Sequence, residues 1–184
     1  MAIKSVHPEE SFAQRGRMIH DWRGSALRSE TTLHQLSPYI GKIKSSMAAS
    51  LIAQFTREGQ LVYDPFSGSG TVALEAWLAR RRVIANDLSP YAALLSKAKL
   101  FPYISAEKAL ADIEQASKEV SQTVKQVDLR FVPKWVRQFF HPETLRETIA
   151  WATVLKNQKK DFLLSCLLGI LHHQRPGFLS YPNA

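Results

Sequence analysis

Residues 61–71 read Leu-Val-Tyr-Asp-Pro-Phe-Ser-Gly-Ser-Gly-Thr, and the rest of the chain is read outward from them. Leu61, Val62 and Tyr63 form a short apolar run of strand-forming residues. Asp64 and Pro65 end that run. Gly68 and Gly70 then supply a turn that can bend sharply and approach a ligand with no Cβ in the way. Helical sequence follows, with Thr71 expected to cap it and Glu75 in its first turns, where the helix dipole favours an anion. Val83-Ile84-Ala85 spells a second apolar strand that runs into Asn86-Asp87. Strand, helix and strand make a βαβ unit. Asp87 follows Asp64 at roughly the 20-residue distance at which such a unit delivers an acid to the carboxyl edge of its sheet, where it can accept from ribose hydroxyls.

The glycine pattern is not the dinucleotide fingerprint, because Ala73 stands where GxGxxG needs its third glycine. It is not a P-loop either, since no Gly-Lys-Ser/Thr follows. Asp64-Pro65-Phe66-Ser67-Gly68-Ser69-Gly70-Thr71, followed by the acid in Asn86-Asp87-Leu88-Ser89-Pro90-Tyr91-Ala92, resembles the cofactor motif of amino-methyltransferases. These enzymes methylate exocyclic amino groups of adenine or cytosine in DNA. The resemblance implies S-adenosylmethionine as cofactor, with Asp64 and the backbone of Pro65 and Phe66–Gly70 holding its methionine part. It also implies that Asp87 binds the ribose and that Leu88 flanks the adenine. A looser match lies at Ser37-Pro38-Tyr39-Ile40, where the family carries a His-Pro-Tyr-like loop beside the cofactor and this chain has Ser37 in place of the histidine. Pro38 stiffens that loop, and Tyr39 or Ile40 would cover the cofactor's apolar side.

Composition sets the wider bounds. With 184 residues, 45% of them hydrophobic, the chain is long enough for one domain with a sizeable core. Cys166 is the single cysteine, which excludes an internal disulfide framework and suits a reducing, cytoplasmic setting. Neither a long apolar run nor a signal-peptide core points to membrane or export. Lys and Arg number 24 against 16 Asp and Glu, for a formal net charge of +8. That balance favours a polyanionic partner through counterion release, and DNA is the expected one. No HExxH and no Cys/His cluster appears, so no metal is expected; His172 and His173 are adjacent and would point about 100° apart on a helix.

Residues 1–32 read as a basic leader, with Arg15, Arg17, Arg23 and Arg28 interleaved with His20 and Trp22; a phosphate-contacting arm and a solvated segment are equally consistent with it. Residues 33–104 read as the cofactor-binding half. In them a helix starts at Ser45 or Ser46, carries Met47, Leu51, Ile52 and Phe55 on one face, and is expected to end at Gly59. A second helix follows Ser89-Pro90, a good cap and first residue. Residues 105–184 read as helical. Ser105 caps an amphipathic helix with Ala109, Leu110, Ile113, Ala116, Val120 and Val124 on its inner side. Pro142 opens another, with Leu145, Ile149, Ala152 and Leu155 as its stripe, and a third runs from about Asp161 to His172. Phe131, Trp135, Phe139 and Phe140 read as core between helices; base contact beside Lys134 and Arg137 is the alternative.

The fold class expected is therefore α/β: a partial Rossmann-like methyltransferase fold with a largely helical C-terminal insertion. Amino-methyltransferases carry a second motif, Asp/Asn/Ser-Pro-Pro-aromatic, which accepts from the target amino group and stacks on the flipped base. No Pro-Pro occurs in this sequence, and Ser37-Pro38-Tyr39 and Ser89-Pro90-Tyr91 lack the second proline. The expectation is an N-terminal methyltransferase part, inactive alone, with no catalytic residue of its own and a complementing polypeptide carrying the missing motif. Two alternatives stay open at this point: part of an RNA guanine amino-methyltransferase, and a non-enzymatic remnant that binds nucleic acid or a partner chain.

Overall fold

The computed structural model describes residues 30–171. The arginines and Trp22 of the basic leader, and His172 and His173, lie outside the described residues. At the centre is a parallel pair of strands, β1 (Leu61–Asp64) and β2 (Arg82–Ala85), in the register Leu61 to Arg82 through Asp64 to Ala85. Helix α1 (Ser45–Phe55) leads into β1, α2 (Thr71–Leu78) connects the strands, and α3 (Pro90–Leu100) follows β2. Pairing extends beyond the strands at both ends: Arg82 N donates to Gln60 O at 2.9 Å, and Ser67 N to Asn86 O at 2.9 Å. The second of these stitches the glycine turn to the end of β2.

Helix α2 packs on both strands, on α1 and on α3. Its Ala73, Leu74 and Ala76 are fully buried, which is why this short helix is small and apolar at those positions. Strand side chains alternate between faces. Val62 and Val83 share the more buried face, whereas Leu61, Tyr63 and Ile84 stay about half exposed on the other. Among the described residues the sheet has these two strands alone. The architecture is thus mainly helical with a small parallel sheet, compatible with part of a methyltransferase fold.

Two helix ends differ from expectation. Thr71 does not cap α2 but is its first residue; Gly70 occupies the cap position in the left-handed region, φ 74°, and the Thr71 hydroxyl lies 3.1 Å from Ser69 Oγ instead. A left-handed cap is costly for any residue with a Cβ, so the glycine takes the place a threonine would fill with extended backbone. Helix α1 stops at Phe55 rather than Gly59, because Thr56 turns extended and its hydroxyl donates to Ile52 O at 2.6 Å.

The second half is a helical body. It comprises α4 (Ala106–Thr123), the short α5 (Lys134–Arg137), α6 (Pro142–Asn157) and α7 (Asp161–Leu171). Ser89 and Ser105 cap α3 and α4 by accepting from Ala92 N and Lys108 N, and Pro142 opens α6, all as their residue types dictate. Ala116, Val120, Ala150, Val154, Leu155 and Leu163 form its core. Helix α7 joins the two halves: it packs on α3 as well as α6, and Gly169 lets its backbone approach Leu36 closely.

Which face α4 buries also departs from the sequence reading. Asp112, Ala116 and Val120 are buried, while Leu110 and Ile113 are exposed. The turn of the helix is decided by Asp112, which accepts from Tyr103 OH at 2.7 Å, Lys108 Nζ at 3.0 Å and Lys160 Nζ at 2.5 Å. A carboxylate with three donors tolerates burial that an unpaired one does not. Phe131 and Trp135 are corrections too: they are 88% and 65% exposed rather than core.

Candidate functional site

The turn after β1 is built by its own polar atoms. Asp64 Oδ1 accepts from Phe66 N at 3.2 Å, an aspartate turn that reverses the chain immediately after the strand. Gly70 N donates to Ser67 O at 2.7 Å and closes the loop. Helix α3 presses on this turn through Ser96, whose hydroxyl lies 3.1 Å from Ser67 Oγ and donates to Gly68 O at 3.3 Å. The approach is close enough that a Cβ on Gly70 would stand 2.8 Å from Ser96 Cα. Gly70 is therefore required twice, for its dihedral and for the space.

The Ser37–Lys42 loop closes over the same turn. A Cβ on Gly68 would lie 3.3 Å from Tyr39 Cε1, so the tyrosine ring sits against the glycine. Tyr39 stacks on Tyr91 with ring centroids 6.1 Å apart. Tyr91 fixes the loop further: its hydroxyl donates to Pro38 O at 3.1 Å and lies 2.5 Å from Ser37 Oγ. Below, fully buried His34 meets Glu75 of α2, Nε2 to Oε1 at 2.6 Å, and Lys42 Nζ donates to His34 O at 3.0 Å. Glu75 thus serves as an anchor for this loop rather than as a partner of its own helix dipole.

Asp87 ties the turn to the start of α3. Gly68 N donates to its Oδ2 at 2.8 Å and Ser89 N to its Oδ1 at 2.9 Å. The Ser89 amide, then that of Gly68, holds the carboxyl below its ordinary range, so it is ionised at neutral pH. A carboxylate has about four lone-pair directions, so further donors can still be accepted.

A cleft of about 210 Å³ opens between these parts. Tyr39, Asp64, Phe66, Ser67, Gly68, Ser69 and Thr71 line it, together with Gly41, Lys42, Ile43 and Val72. Of the residues singled out from the sequence, seven converge here. Pro38, Pro65, Gly70, Asp87 and Leu88 flank the cleft without lining it, and Ile40 is fully exposed away from contact. Thr71 and Val72 belong to the first turn of α2, whose amides have no partner inside the helix and whose dipole attracts an anion. The arrangement can hold a small molecule with an anionic end at α2 and an apolar part under Tyr39 and Phe66.

Sequence reasoning missed His34, Lys42 and Tyr91. A buried histidine and a partner carboxylate 41 residues apart leave no local spacing to detect. It also missed Lys99 of α3, which is wholly buried and whose ammonium has no hydrogen-bond partner among the described residues. Burial, aided by the Lys42 charge and opposed by Glu30, pushes its pKa down to about 8. A larger cavity of about 380 Å³ lies at the far end of α3, with Asp112, Lys108 and Lys160 in its wall. Lys160, Tyr103 and Lys108 hold the Asp112 carboxyl well below the ordinary range, and burial pushes Tyr103 up. Among the described residues no helix is long and apolar enough to cross a membrane, and no group of three His, Cys, Asp or Glu side chains is placed to hold a metal ion.

A family model described as a DNA methylase matches residues 20–118. The chain is 28% identical over 123 residues to the Type II methyltransferase M.MjaII of Methanocaldococcus jannaschii, covering 62% of this chain and 23% of that protein. It is 27% identical over 105 residues to the orphan methyltransferase M.BamHII of Bacillus amyloliquefaciens, covering 56% and 40%. With the Type II methyltransferase M.MvaI of Kocuria varians it shares 33% identity over 73 residues, covering 39% and 16%. The matched part of this chain thus spans between 16% and 40% of the length of these relatives. No solved structure matches.

Proposed function

The chain belongs to the N6/N4 family of DNA methylases, and from that premise we propose that it is the S-adenosylmethionine-binding part of an enzyme that methylates exocyclic amino groups of adenine or cytosine in DNA. The observation that carries this reading is the convergence of Tyr39, Asp64 and the Phe66–Thr71 turn on one cleft, with Asp87 locked to the Gly68 amide beside it.

The cleft of about 210 Å³ is below the roughly 300 Å³ at which drug-sized ligand sites begin, and so suits part of the cofactor rather than all of it. The cofactor's amino-acid end would be held there, by the first turn of α2 and by Asp64. Asp87 would hold the ribose, and Leu88 would flank the adenine. Tyr39, Pro38 and Ile40 form the loop over the open side. Pro65, Phe66, Ser67, Ser69 and Gly70 shape the turn, and Thr71 begins the helix that receives the anion. When bound, the cofactor supplies an electrophilic methyl group on a sulfonium. This chain's residues would position that group, with the Tyr39 and Phe66 rings beside it.

Methyl transfer also needs acceptors for the target amino group. The sequence contains no Pro-Pro and hence no Asp/Asn/Ser-Pro-Pro-aromatic motif. In this proposal a complementing polypeptide that carries this motif supplies the residues that activate the nitrogen. Under this reading residues 33–104 form the cofactor-binding half, 105–184 the helical region of the same domain, and 1–32 a basic leader toward DNA. Titration of the purified chain with S-adenosylmethionine by calorimetry tests the assignment. One saturable site is expected, weakened about 5- to 100-fold in Asp87→Ala as the ribose donors lose their acceptor. Equal affinity in both proteins would remove Asp87 from the site.

A further inference from the structure

Residues 129–140, Leu-Arg-Phe-Val-Pro-Lys-Trp-Val-Arg-Gln-Phe-Phe, hold three cations, four aromatics and no acid. They form a 3-10 turn (Leu129–Phe131) and the short helix α5, between the long helices α4 and α6. Phe131 is 88% exposed and Trp135 65% exposed, an unusual condition for two large rings within five residues. Trp135 is not loose: Phe139 packs against it edge-to-face, with ring centroids 6.3 Å apart and planes at 79°. Arg130 is fixed too, its guanidinium forked on Asp128 at 2.6–3.0 Å. Asp128 is spent on this fork and on the Arg130 amide, and among the described residues the exposed Lys134 and Arg137 have no acidic partner.

We infer that this segment is a nucleic-acid contact in which Trp135 and Phe131 stack on unpaired bases while Lys134 and Arg137 take the flanking phosphates. Exposed rings, with Trp135 braced by Phe139, beside exposed cations are the combination that single-stranded nucleic acid recognises; each base has a π-face, and each nucleotide a negative charge. A protein partner is disfavoured by charge: three of these twelve residues are cations with no acid among them, and the centres of protein interfaces are depleted in charged residues. Unpaired bases arise wherever a target nucleotide is turned out of a duplex for chemistry. The inference rests on the DNA reading above and adds to it the surface and the mode of contact.

The test uses the 184-residue chain and a fluorescein-labelled 20-nucleotide single strand, with its duplex for comparison, followed by fluorescence anisotropy across a salt series. Trp135→Ala and Phe131→Ala should each weaken single-strand binding about tenfold, and Trp135→Phe should restore most of it, because stacking needs a ring. Lys134→Ala with Arg137→Ala should flatten the salt dependence, whereas Lys118→Ala, an exposed cation on α4, should leave affinity unchanged. Melting curves establish that each variant is folded. If the parent chain binds DNA and Trp135→Ala binds it equally well, the contact is not here, although the DNA reading survives. A parent chain with no DNA affinity at low salt overturns both. Unchanged DNA binding with an altered oligomeric state in Trp135→Ala would assign the rings to a protein interface and overturn the inference.

Discussion

Gly70→Ala is expected to be among the most damaging single-methyl additions this chain can receive, and its magnitude follows from two separable terms. The left-handed backbone at Gly70, φ 74°, costs a residue with a Cβ about 1–2 kcal/mol. The new Cβ would also stand 2.7 Å from Ser96 Oγ and 2.8 Å from Ser96 Cα, and overpacking against backbone costs about 1–3 kcal/mol more. The sum is about 2–5 kcal/mol, or a fall in Tm of roughly 4–20 °C for a chain of this size. Gly59 is the control. It has nearly the same dihedral, φ 79°, with nothing within 4 Å of a new Cβ, so Gly59→Ala carries the backbone term alone, about 1–2 kcal/mol. The stabilisation gained by restricting the unfolded chain is common to both and cancels in the comparison. Adding Ser96→Ala to Gly70→Ala should recover only part of the loss, since the Cα remains in the way. Differential scanning calorimetry measures all four proteins. Equal losses for Gly70→Ala and Gly59→Ala would refute the close packing of α3 on the turn.

Three other outcomes follow from the buried charges. Glu75→Ala leaves fully buried His34 without its partner and should cost about 1–3 kcal/mol in chemical denaturation, while Glu75→Gln, which keeps an acceptor, should cost less. Lys99 binds its proton less tightly folded, with a pKa of about 8, than unfolded, at 10.5. The unfolded state then holds more protons between those values, so stability should rise across that pH range by up to about 3 kcal/mol. Lys99→Met should raise stability at neutral pH and abolish that rise. Asp112 has the opposite sign: its depressed folded pKa contributes stability above the ordinary carboxylate range, lost as pH falls through the folded value. Thermal melts below about pH 4 should show a steep loss in the parent chain and a shallower one in Asp112→Asn.

How much was legible depended on whether the determining contacts are local. Residues 61–92 were read correctly as strand, turn, helix, strand and helix, because the dihedral needs of Gly68 and Gly70 and the capping of α3 by Ser89-Pro90 are written in adjacent residues. The resemblance assigns Tyr39 or Ile40 to the cofactor's apolar side; in the structure Ile40 is fully exposed, whereas the Tyr39 ring lies on Gly68. What holds it there, Tyr91 and Ser37, involves partners 54 residues apart and has no periodic signature. The buried face of α4 was misjudged because hydrophobicity alone favours Leu110 and Ile113 over an aspartate. Three donors from Tyr103, Lys108 and Lys160 reversed that preference. Phe131 and Trp135 failed for a related reason: aromatic content marks burial on average, yet among the described residues these two rings stand exposed.

The central claim is that the Asp64–Thr71 turn and Tyr39 together hold S-adenosylmethionine. Ultraviolet crosslinking of methyl-tritiated S-adenosylmethionine to the intact chain, followed by peptide mapping, tests it most directly. The account predicts label on the peptide containing Tyr39 or on the one containing Phe66, competed away by unlabelled cofactor. Competed label confined to the cavity at the far end of α3, around Phe101 and Tyr103, would contradict it.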